Sequence, residues 1–291
     1  MLDTIWADIL YMDEYIDFTV NDRNYAGLKD FIDELHANHL QFVPIVDAGI
    51  SIKTDSKGVS WYQKGTDMGV FIKTAQNPDA LDGNLIAQVW PGYTAFVDFL
   101  HPNATGFWEE GLQALYDKIP YDGLWLDMNE PANFCQDTKG HSIGECYPHQ
   151  KSIDLDESQG AKHHPYSNIP FKPGGVDIVT RTISMDAIFT DPNENVTGTY
   201  IMYNIHNMYG TLETIATNKY LTFKDNKRPL IISRDSFVGH GQYGSIWTGD
   251  NFATQKDMRL SINQIMNFNQ FGMPFVGGDI CGFGNNTTPE L

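Results

Sequence analysis

Short apolar runs that end in a charged residue recur along the chain. In the run Gly123–Asp127 the apolar residues stop at Asp127, and Pro131 prevents the strand from continuing. Such a run is typical of a strand that is buried in a parallel sheet and presents its last side chain at the rim. The charged residues that end the six runs are Asp8, Asp47, Asp127, Arg234, Asp250 and Asp279.

Helical spacing separates most of these runs. Residues 24–38 place apolar side chains on one face and charged side chains on the other, as in an amphipathic helix. Further helices are predicted over 107–119, 199–223 and 252–271. Only nine residues separate Arg234 from Gly244, which is short for a helical crossover, so we expect an irregular connection there. The alternation of strands and helices predicts an α/β fold with a parallel sheet.

Two α/β architectures fit this alternation. In a (β/α)8 TIM barrel, charged residues at the carboxyl ends of the strands line the rim where active sites lie. In a doubly wound open sheet, the ligand would bind at a single switch point. Periodicity alone leaves the two architectures nearly even. Six strands are predicted here, whereas a closed barrel needs eight.

Two segments interrupt the alternation. Residues 50–105 contain several glycines and aromatic residues but no long helical pattern. We interpret 50–105 as an insertion on the loop face, within one barrel domain that spans 1–291 and is incomplete at both ends. A short strand over 85–92 is predicted to present Trp90. Residues 131–177 form a second long segment, and loops of this length often serve as lids or binding walls.

Composition narrows the range of partners. The chain has 41 % hydrophobic residues and a mean hydropathy of −0.34, which are ordinary values for a globular protein. Its formal net charge of −18 would repel phosphate backbones, so we expect no nucleic-acid partner. No apolar run approaches the roughly 18 to 20 residues of a membrane helix, and no signal peptide is visible. A neutral ligand such as a sugar is compatible with this charge, and the oligomeric state is not indicated.

The residues around Asp127 resemble a known signature. Trp-Leu-Asp-Met-Asn-Glu-Pro at 125–131 is similar to the nucleophile segment of glycoside hydrolase family 31, which includes α-glucosidases. The resemblance implies that Asp127 attacks the anomeric carbon of the sugar. Residues 246–250 resemble the acid/base segment of the family, which implies Asp250 as the second catalytic carboxyl group. The resemblance also implies a partial (β/α)8 TIM barrel, roughly strands two to seven, and a site without metal or cofactor.

Retaining glycoside hydrolysis needs two carboxyl groups about 5 to 5.5 Å apart, one ionised to attack and one protonated to donate to the leaving oxygen. Arg234 is expected to lower the pKa of a nearby carboxylate and to bind a sugar hydroxyl. Asp235 stands where maltase-type members usually have Ser, and its carboxylate could compete for Arg234. Glu130 is expected to orient Asp127 or its loop rather than to react.

The resemblance implies further sugar-binding side chains. Asp8 corresponds to the aspartate that holds hydroxyls of the terminal glucose. Aromatic rings pack on the apolar face of a pyranose, and carboxylates accept hydrogen bonds from its hydroxyls. Taken alone, each such aromatic residue would more simply belong to the core, and each such aspartate would cap a helix. The residues that correspond to the glucose subsite are Ile45, Asp47, Trp90, Trp125, Met128, Trp247, Asp279 and Phe283.

The cysteines and glycosylation motifs favour a secretory or lysosomal compartment. Cys135 and Cys146 lie in the long loop and could pair, and lysosomal and maltase-type members of the resembled family carry a disulfide there. Cys281 has no obvious partner, so its partner is expected beyond Leu291. Sequons begin at Asn103, Asn195, Asn285 and Asn286.

Alternative functions remain at this point. A metal hydrolase built from the strand-end carboxylates lacks ligand spacing such as His-Glu-x-x-His. A non-catalytic carbohydrate-binding homologue is disfavoured because both carboxylates are present. Within the family, α-xylosides and the glycans trimmed in the endoplasmic reticulum compete with maltose and glucans as substrates. Leu126 and the motif Gly-His-Gly at 239–241 favour the maltase and lysosomal branch.

The 291 residues alone are expected to be inactive. An unclosed barrel exposes two strand edges. The resemblance also implies a rim histidine from the eighth strand, which would lie beyond Leu291. His206 and His240 are not expected to replace it.

Overall fold

A computed structural model describes residues 2–148, 166–167, 169–172, 175–191 and 200–291. Six strands form one parallel sheet in which each strand pairs with the next barrel strand along the chain. The strand order runs in one direction throughout, whereas in a doubly wound sheet it reverses at the switch point. The sheet is therefore an open part of a TIM barrel. The six strands are β1 (Thr4–Ala7), β2 (Gln41–Asp47), β6 (Gly123–Asp127), β7 (Leu230–Ser233), β8 (Ser245–Trp247) and β9 (Val276–Gly277).

The segment 50–105 lies between two strands that are neighbours in this sheet, β2 and β6. With Gly49 it contributes helix α2 (Trp61–Met68) and the three strands β3 (Gly49–Ser51), β4 (Ile86–Val89) and β5 (Gly92–Phe96). These strands form an antiparallel sheet in the order β3-β5-β4. This position supports our proposal that 50–105 is an insertion on the loop face.

The predicted helices are present, with one correction. The helices are α1 (Leu28–Ala37), α3 (Ala104–Tyr116), α4 (Met202–Ile205), α5 (Tyr209–Asp225) and α6 (Gln255–Gln270). The single helix predicted over 199–223 is wrong, because a 3-10 turn at His206–Met208 separates α4 from α5. The first residue of α5 is held by a tertiary contact, in which the buried hydroxyl of Tyr209 donates to Val97 O at 3.0 Å. The predicted irregular connection before β8 contains a short 3-10 turn, His240–Gln242.

The core lies between the sheet and helices α1, α3 and α5. Its largest fully buried side chain is Trp108 on α3, which packs edge-on against Phe18. Trp108 Nε1 donates to Thr217 Oγ1 on α5 at 2.8 Å, so the two helices share a polar contact inside the core. Helix α6 differs, since none of its side chains is buried, and Ile262 and Met266 on it are 59 % and 58 % exposed.

The long loop after β6 is partly described. Cys135 and Cys146 form a disulfide with a Cα–Cα distance of 5.9 Å, as the resemblance implied. Cys281 is exposed and unpaired within the described part of the chain. The remainder of the predicted loop, including 149–165, lies outside the described residues, as does the sequon at Asn195. None of the helices described is long and apolar enough to cross a membrane.

Candidate active site

Strand β6 carries Asp127 to the rim of the sheet. Leu124 and Leu126 are fully buried, and Asp127 pairs in register with Asp47 at the end of β2. The next residue, Met128, has a φ of +59°, in the left-handed region that a non-glycine residue adopts only at a cost of order 1–3 kcal/mol. This turn ends the strand and leaves the Asp127 side chain 12 % exposed at the cavity floor.

Arg234, which follows β7, lies between two carboxylates. Its Nη1 is 2.9 Å from Asp127 Oδ1, in an ion pair without the alignment of a hydrogen bond. Its Nε and Nη2 donate to the two carboxylate oxygens of Glu130 at 2.6 and 3.0 Å. Such a bidentate pair holds the guanidinium in one orientation. Glu130 therefore contacts Arg234, through which it can orient Asp127.

Burial dominates the charge state of Asp127. Burial raises the pKa of Asp127 to about 6, although Arg234 and the Met128 N–H lower it; Glu130 and Asp250 raise it further. We expected Arg234 to lower the pKa of a nearby carboxyl group. Arg234 does lower the pKa of Asp127, but the loss of hydration on burial raises it by more. Asp127 is thus about half ionised near pH 6.

A cavity of about 830 Å³ opens above Asp127. The two implied catalytic carboxylates, Asp127 and Asp250, both line it, as does Arg234. Asp250 is exposed there and does not cap α6, because Thr254 Oγ1 accepts from Asp257 N instead. The sequence-predicted residues that line this cavity are Asp8, Trp90, Trp125, Asp127, Met128, Glu130, Arg234, Asp250 and Phe283.

Trp247 and Asp279 line a separate, smaller pocket of about 280 Å³. Trp125 lines both spaces, and its ring meets Trp247 edge-on at 5.4 Å. Burial raises the pKa of Asp279, and the charge of Asp250 adds to this. The two spaces share Trp125, so Trp247 and Asp279 lie next to the main cavity.

Ile45 and Asp47 do not line the cavity, which corrects the placement implied by resemblance. Their exposed fractions are 1 % and 0 %. The segment after β1 covers the end of β2: Tyr11 Oη donates to Ile45 O at 2.7 Å, and Asp17 Oδ1 accepts from Asp47 N at 2.9 Å. Burial raises the pKa of Asp47 well above its usual range, and the charges of Asp17 and Asp127 raise it further.

Asp235 does not compete for Arg234. Its Oδ2 accepts from the backbone N–H of Gly210 at 3.1 Å, in the first turn of α5. Burial raises the pKa of Asp235 well above its usual range and the charge of Glu130 adds to this, while the Gly210 N–H and Arg234 lower it. The guanidinium of Arg234 forms its ion pairs with Asp127 and Glu130.

One wall of the cavity was not anticipated from the sequence. Thr182 Oγ1 donates to Pro131 O at 2.6 Å, and Asn133 N donates to Arg181 O at 2.8 Å, so 178–182 is attached to the loop after β6. No sequence pattern marks 178–182 as a wall, although the long loop after β6 was predicted to form one. The additional lining residues are Ile9, Leu10, Ala132, Phe134, Ile178, Thr180, Arg181, Thr182 and His206.

The hydrogen bonds of His206 and His240 go to residues other than the carboxylates of the site. Burial lowers the pKa of His206, which lines the cavity. His240 is fully buried and lies 3.2 Å from Thr211 Oγ1 through Nδ1. Among the residues that the structure describes, no three His, Cys, Asp or Glu side chains are arranged to hold a metal ion.

Comparison with known proteins places this geometry in a family. The model of the Glycosyl hydrolases family 31 TIM-barrel domain matches residues 1–291. Lysosomal alpha-glucosidase of Rattus norvegicus is 35 % identical over 290 residues, covering 100 % of this chain and 27 % of that protein. Alpha-xylosidase 1 of Arabidopsis thaliana is 37 % identical over 306 residues, covering 100 % of this chain and 31 % of that protein.

A solved structure of a glucosidase II alpha subunit shares the fold, with a TM-score of 0.72 and 23 % identity over 98 % of this chain and 25 % of that chain. The chain spans less than a third of the length of the two relatives described above. The family model matches this chain over its whole length, and the chain therefore belongs to glycosyl hydrolase family 31.

Proposed function

We propose that the protein containing this chain is a retaining, exo-acting α-glucosidase that releases terminal α-linked glucose from maltose, oligosaccharides or glucans. The observation that carries the proposal is the ion pair between Arg234 and Asp127 at the base of a cavity that Asp250 also lines. An ionised carboxylate and a second carboxyl group facing one cavity are the groups that retaining hydrolysis requires.

In the proposed mechanism, an Asp127 carboxylate oxygen forms a bond to the anomeric carbon while the glycosidic bond breaks. Asp250 gives its proton to the departing oxygen, so the leaving sugar departs as a neutral alcohol. Asp250, now ionised, takes a proton from water, whose oxygen replaces Asp127 on the sugar. The intermediate is a covalent glucosyl-aspartate. Arg234 favours the ionised form of Asp127 at the start and the end of the cycle.

Substrate contacts are proposed from the lining of the cavity. Trp90 is 50 % exposed and meets Phe134 edge-on at 5.2 Å, and both rings line the cavity that Asp127 and Asp250 line. Asp8 is exposed at the same cavity and can accept from sugar hydroxyls, although its Oδ1 also accepts from Ile9 N at 2.7 Å.

A second candidate activity has a specific observation in its favour. A relative named Alpha-xylosidase 1 is 37 % identical over the full chain. A xylose lacks the C6 hydroxymethyl group of glucose, so discrimination depends on the part of the cavity near that group. Trimming of glycans in the endoplasmic reticulum has weaker support, since the glucosidase II likeness is one of fold. We further propose a secretory or lysosomal location, which the disulfide and the rat relative's name support.

The test uses the full reading frame that contains this chain. Release of p-nitrophenol from its α-glucoside and α-xyloside is measured for the wild type, Asp127→Ala and Asp79→Ala. Asp79 is an exposed aspartate away from the cavity and provides the matched control. Release from the glucoside that is lost only in Asp127→Ala supports the proposal.

Two results would overturn it in different ways. Release from the xyloside alone keeps the mechanism and replaces the substrate. A folded full-length protein that hydrolyses neither compound removes the hydrolase proposal and favours a sugar-binding homologue.

A further inference from the structure

Hydrogen bonds and ion pairs join the segment 127–130, which carries Asp127, to the segment 233–235, which carries Arg234. Asn129 Oδ1 accepts from Asp235 N at 3.0 Å, and its Nδ2 donates to Ser233 Oγ at 2.8 Å. Ser233 Oγ in turn donates to Asp235 O at 2.7 Å. Asn129 therefore binds the residues on both sides of Arg234.

Arg234 in turn contacts the residues on both sides of Asn129. Its guanidinium pairs with Asp127 and Glu130, and its Nη2 lies 3.1 Å from Met128 Sδ. These residues flank Asn129 on both sides. We call the two sets of contacts, centred on Asn129 and Arg234, the interlock.

Helix α5 completes the surroundings of Asn129. Glu213 Oε2 accepts from Asn129 Nδ2 at 2.8 Å, and Asp235 Oδ2 accepts from Gly210 N. Asn129 and Glu213 are each 0 % exposed. The amide nitrogen of Asn129 thus makes two hydrogen bonds and its amide oxygen accepts a third.

We propose that Asn129 is a positioning residue, which holds Arg234 against Asp127 and thereby keeps Asp127 ionised for catalysis. This inference rests on the proposed function, because it assigns Asn129 a part in the same reaction. Asn129 has no access to the substrate; it acts through the backbone and the hydroxyl group beside Arg234.

Loss of the interlock should change the charge on Asp127. Arg234 lowers the pKa of Asp127 against the larger effect of burial, so a displaced guanidinium would let this pKa rise above about 6. The other charged groups that act on Asp127 are acidic and would not compensate. The charged or titratable groups around Asp127 are Arg234 after β7, Glu130 on its own loop, Asp250 after β8, Asp47 on β2 and Glu213 on α5.

The test is the pH dependence of kcat/KM in the full-length protein, whose acidic limb reports the free-enzyme nucleophile. Asn129→Ala should move this limb upward by roughly half a pH unit or more, because an opposite charge within contact shifts a carboxyl pKa by one to three units. Ser233→Ala, which removes one hydrogen bond of the interlock, should move it less and in the same direction. Burial raises the pKa of Glu213 well above its usual range, so Glu213→Gln replaces one uncharged acceptor of the Asn129 hydrogen bond with another and should leave the acidic limb close to that of the wild type.

Asn133→Ala is the matched control. Asn133 is a buried amide on the same loop, but it binds Gly144 O and Cys135 N rather than the residues beside Arg234. The Asn133→Ala substitution should lower the midpoint of thermal unfolding without moving the acidic limb of the pH dependence of kcat/KM.

The outcomes separate this inference from the proposed function. If the wild type is active and the limb stays fixed while kcat falls equally at all pH values, Asn129 is only structural and the inference is wrong. If Asn129→Ala does not fold, the Ser233→Ala profile decides by the same criterion. An inactive, folded wild type would instead remove the proposed function, and this inference with it.

Discussion

Arg234 Nη1 lies 2.9 Å from Asp127 Oδ1, yet this ion pair does not offset the burial of the carboxylate. The pKa of Asp127 stands at about 6, above its value in an unfolded chain. Above that pH the folded protein carries a negative charge in a place where water hydrates it poorly. The group proposed to attack the sugar is therefore also a source of instability.

Replacing Asp127 with Asn should stabilise the protein at pH 7 while it abolishes hydrolysis. The unfolded chain releases this proton near pH 4, whereas the folded protein keeps it to about pH 6. In between, the folded state binds more protons, so its stability falls as pH rises. The difference of about two pH units corresponds to about 3 kcal/mol, and asparagine does not ionise.

The measurement is the midpoint of thermal unfolding of both proteins from pH 4 to 7. The gain of Asp127→Asn should be near zero at pH 4 and reach a few degrees above pH 6, on the order expected for about 3 kcal/mol. Asp79→Asn, at an exposed site, should show no such rise. A variant that is equally destabilised at every pH would mean that the ion pair outweighs burial after all.

Gly210 and Gly106 should respond in opposite directions to alanine. A β-carbon on Gly210 would lie 2.7 Å from Asp235 Cβ and 3.0 Å from Asn129 Nδ2, whereas one on Gly106 meets nothing within 4 Å. Both glycines are in helices, α5 and α3, where alanine is otherwise favoured by about 1 kcal/mol. We expect Gly106→Ala to raise the midpoint of thermal unfolding and Gly210→Ala to lower it. Equal shifts of one sign would show that Asp235 moves aside without cost.

Thr217→Val should destabilise the contact between α3 and α5. The change leaves the buried indole N–H of Trp108 without its acceptor, which costs about 1–3 kcal/mol. Thr222→Val on the exposed side of α5 is the matched control and should have little effect. Denaturant or thermal unfolding of the three proteins makes the comparison. No difference between the two variants would mean that another acceptor reaches Trp108.

Removal of the disulfide should loosen the wall of the cavity. Cys135 and Cys146 close a loop with a sequence separation of 11, for which the chain-entropy model gives about 2–3 kcal/mol. The Cys135→Ala/Cys146→Ala double variant should exchange its backbone hydrogens faster at positions 134 and 146, whose N–H groups donate to Gln88 O and Ile86 O in the wild type. Cys281→Ala, at an exposed free cysteine, should leave exchange unchanged. Unaltered protection in the double variant would show that these hydrogen bonds hold the loop alone.

Much of the fold could be predicted from local pattern. Runs such as Gly123–Asp127 are apolar on both faces because a parallel barrel strand is covered on both sides, and the residue that ends each run must reach the rim. Periodicity did not fix the order of the strands, because it fitted a doubly wound sheet nearly as well; the resemblance implied the barrel, and the sheet has the sequential order of one. The motif at 125–131 added Asp127 as the candidate nucleophile, and 246–250 added Asp250; both line one cavity.

Tertiary structure alone decided what covers each side chain. Asp47 matches the pattern of a rim carboxylate as well as Asp127 does, but the segment around Asp17 packs over it, and nothing in the run itself shows this. Asp235 could have paired with Arg234, until α5 placed the N–H of Gly210 within its reach. Sequence periodicity determines which way a side chain points from its own element. Burial, pKa and partner depend on elements distant in the chain, because hydration and charge act through space.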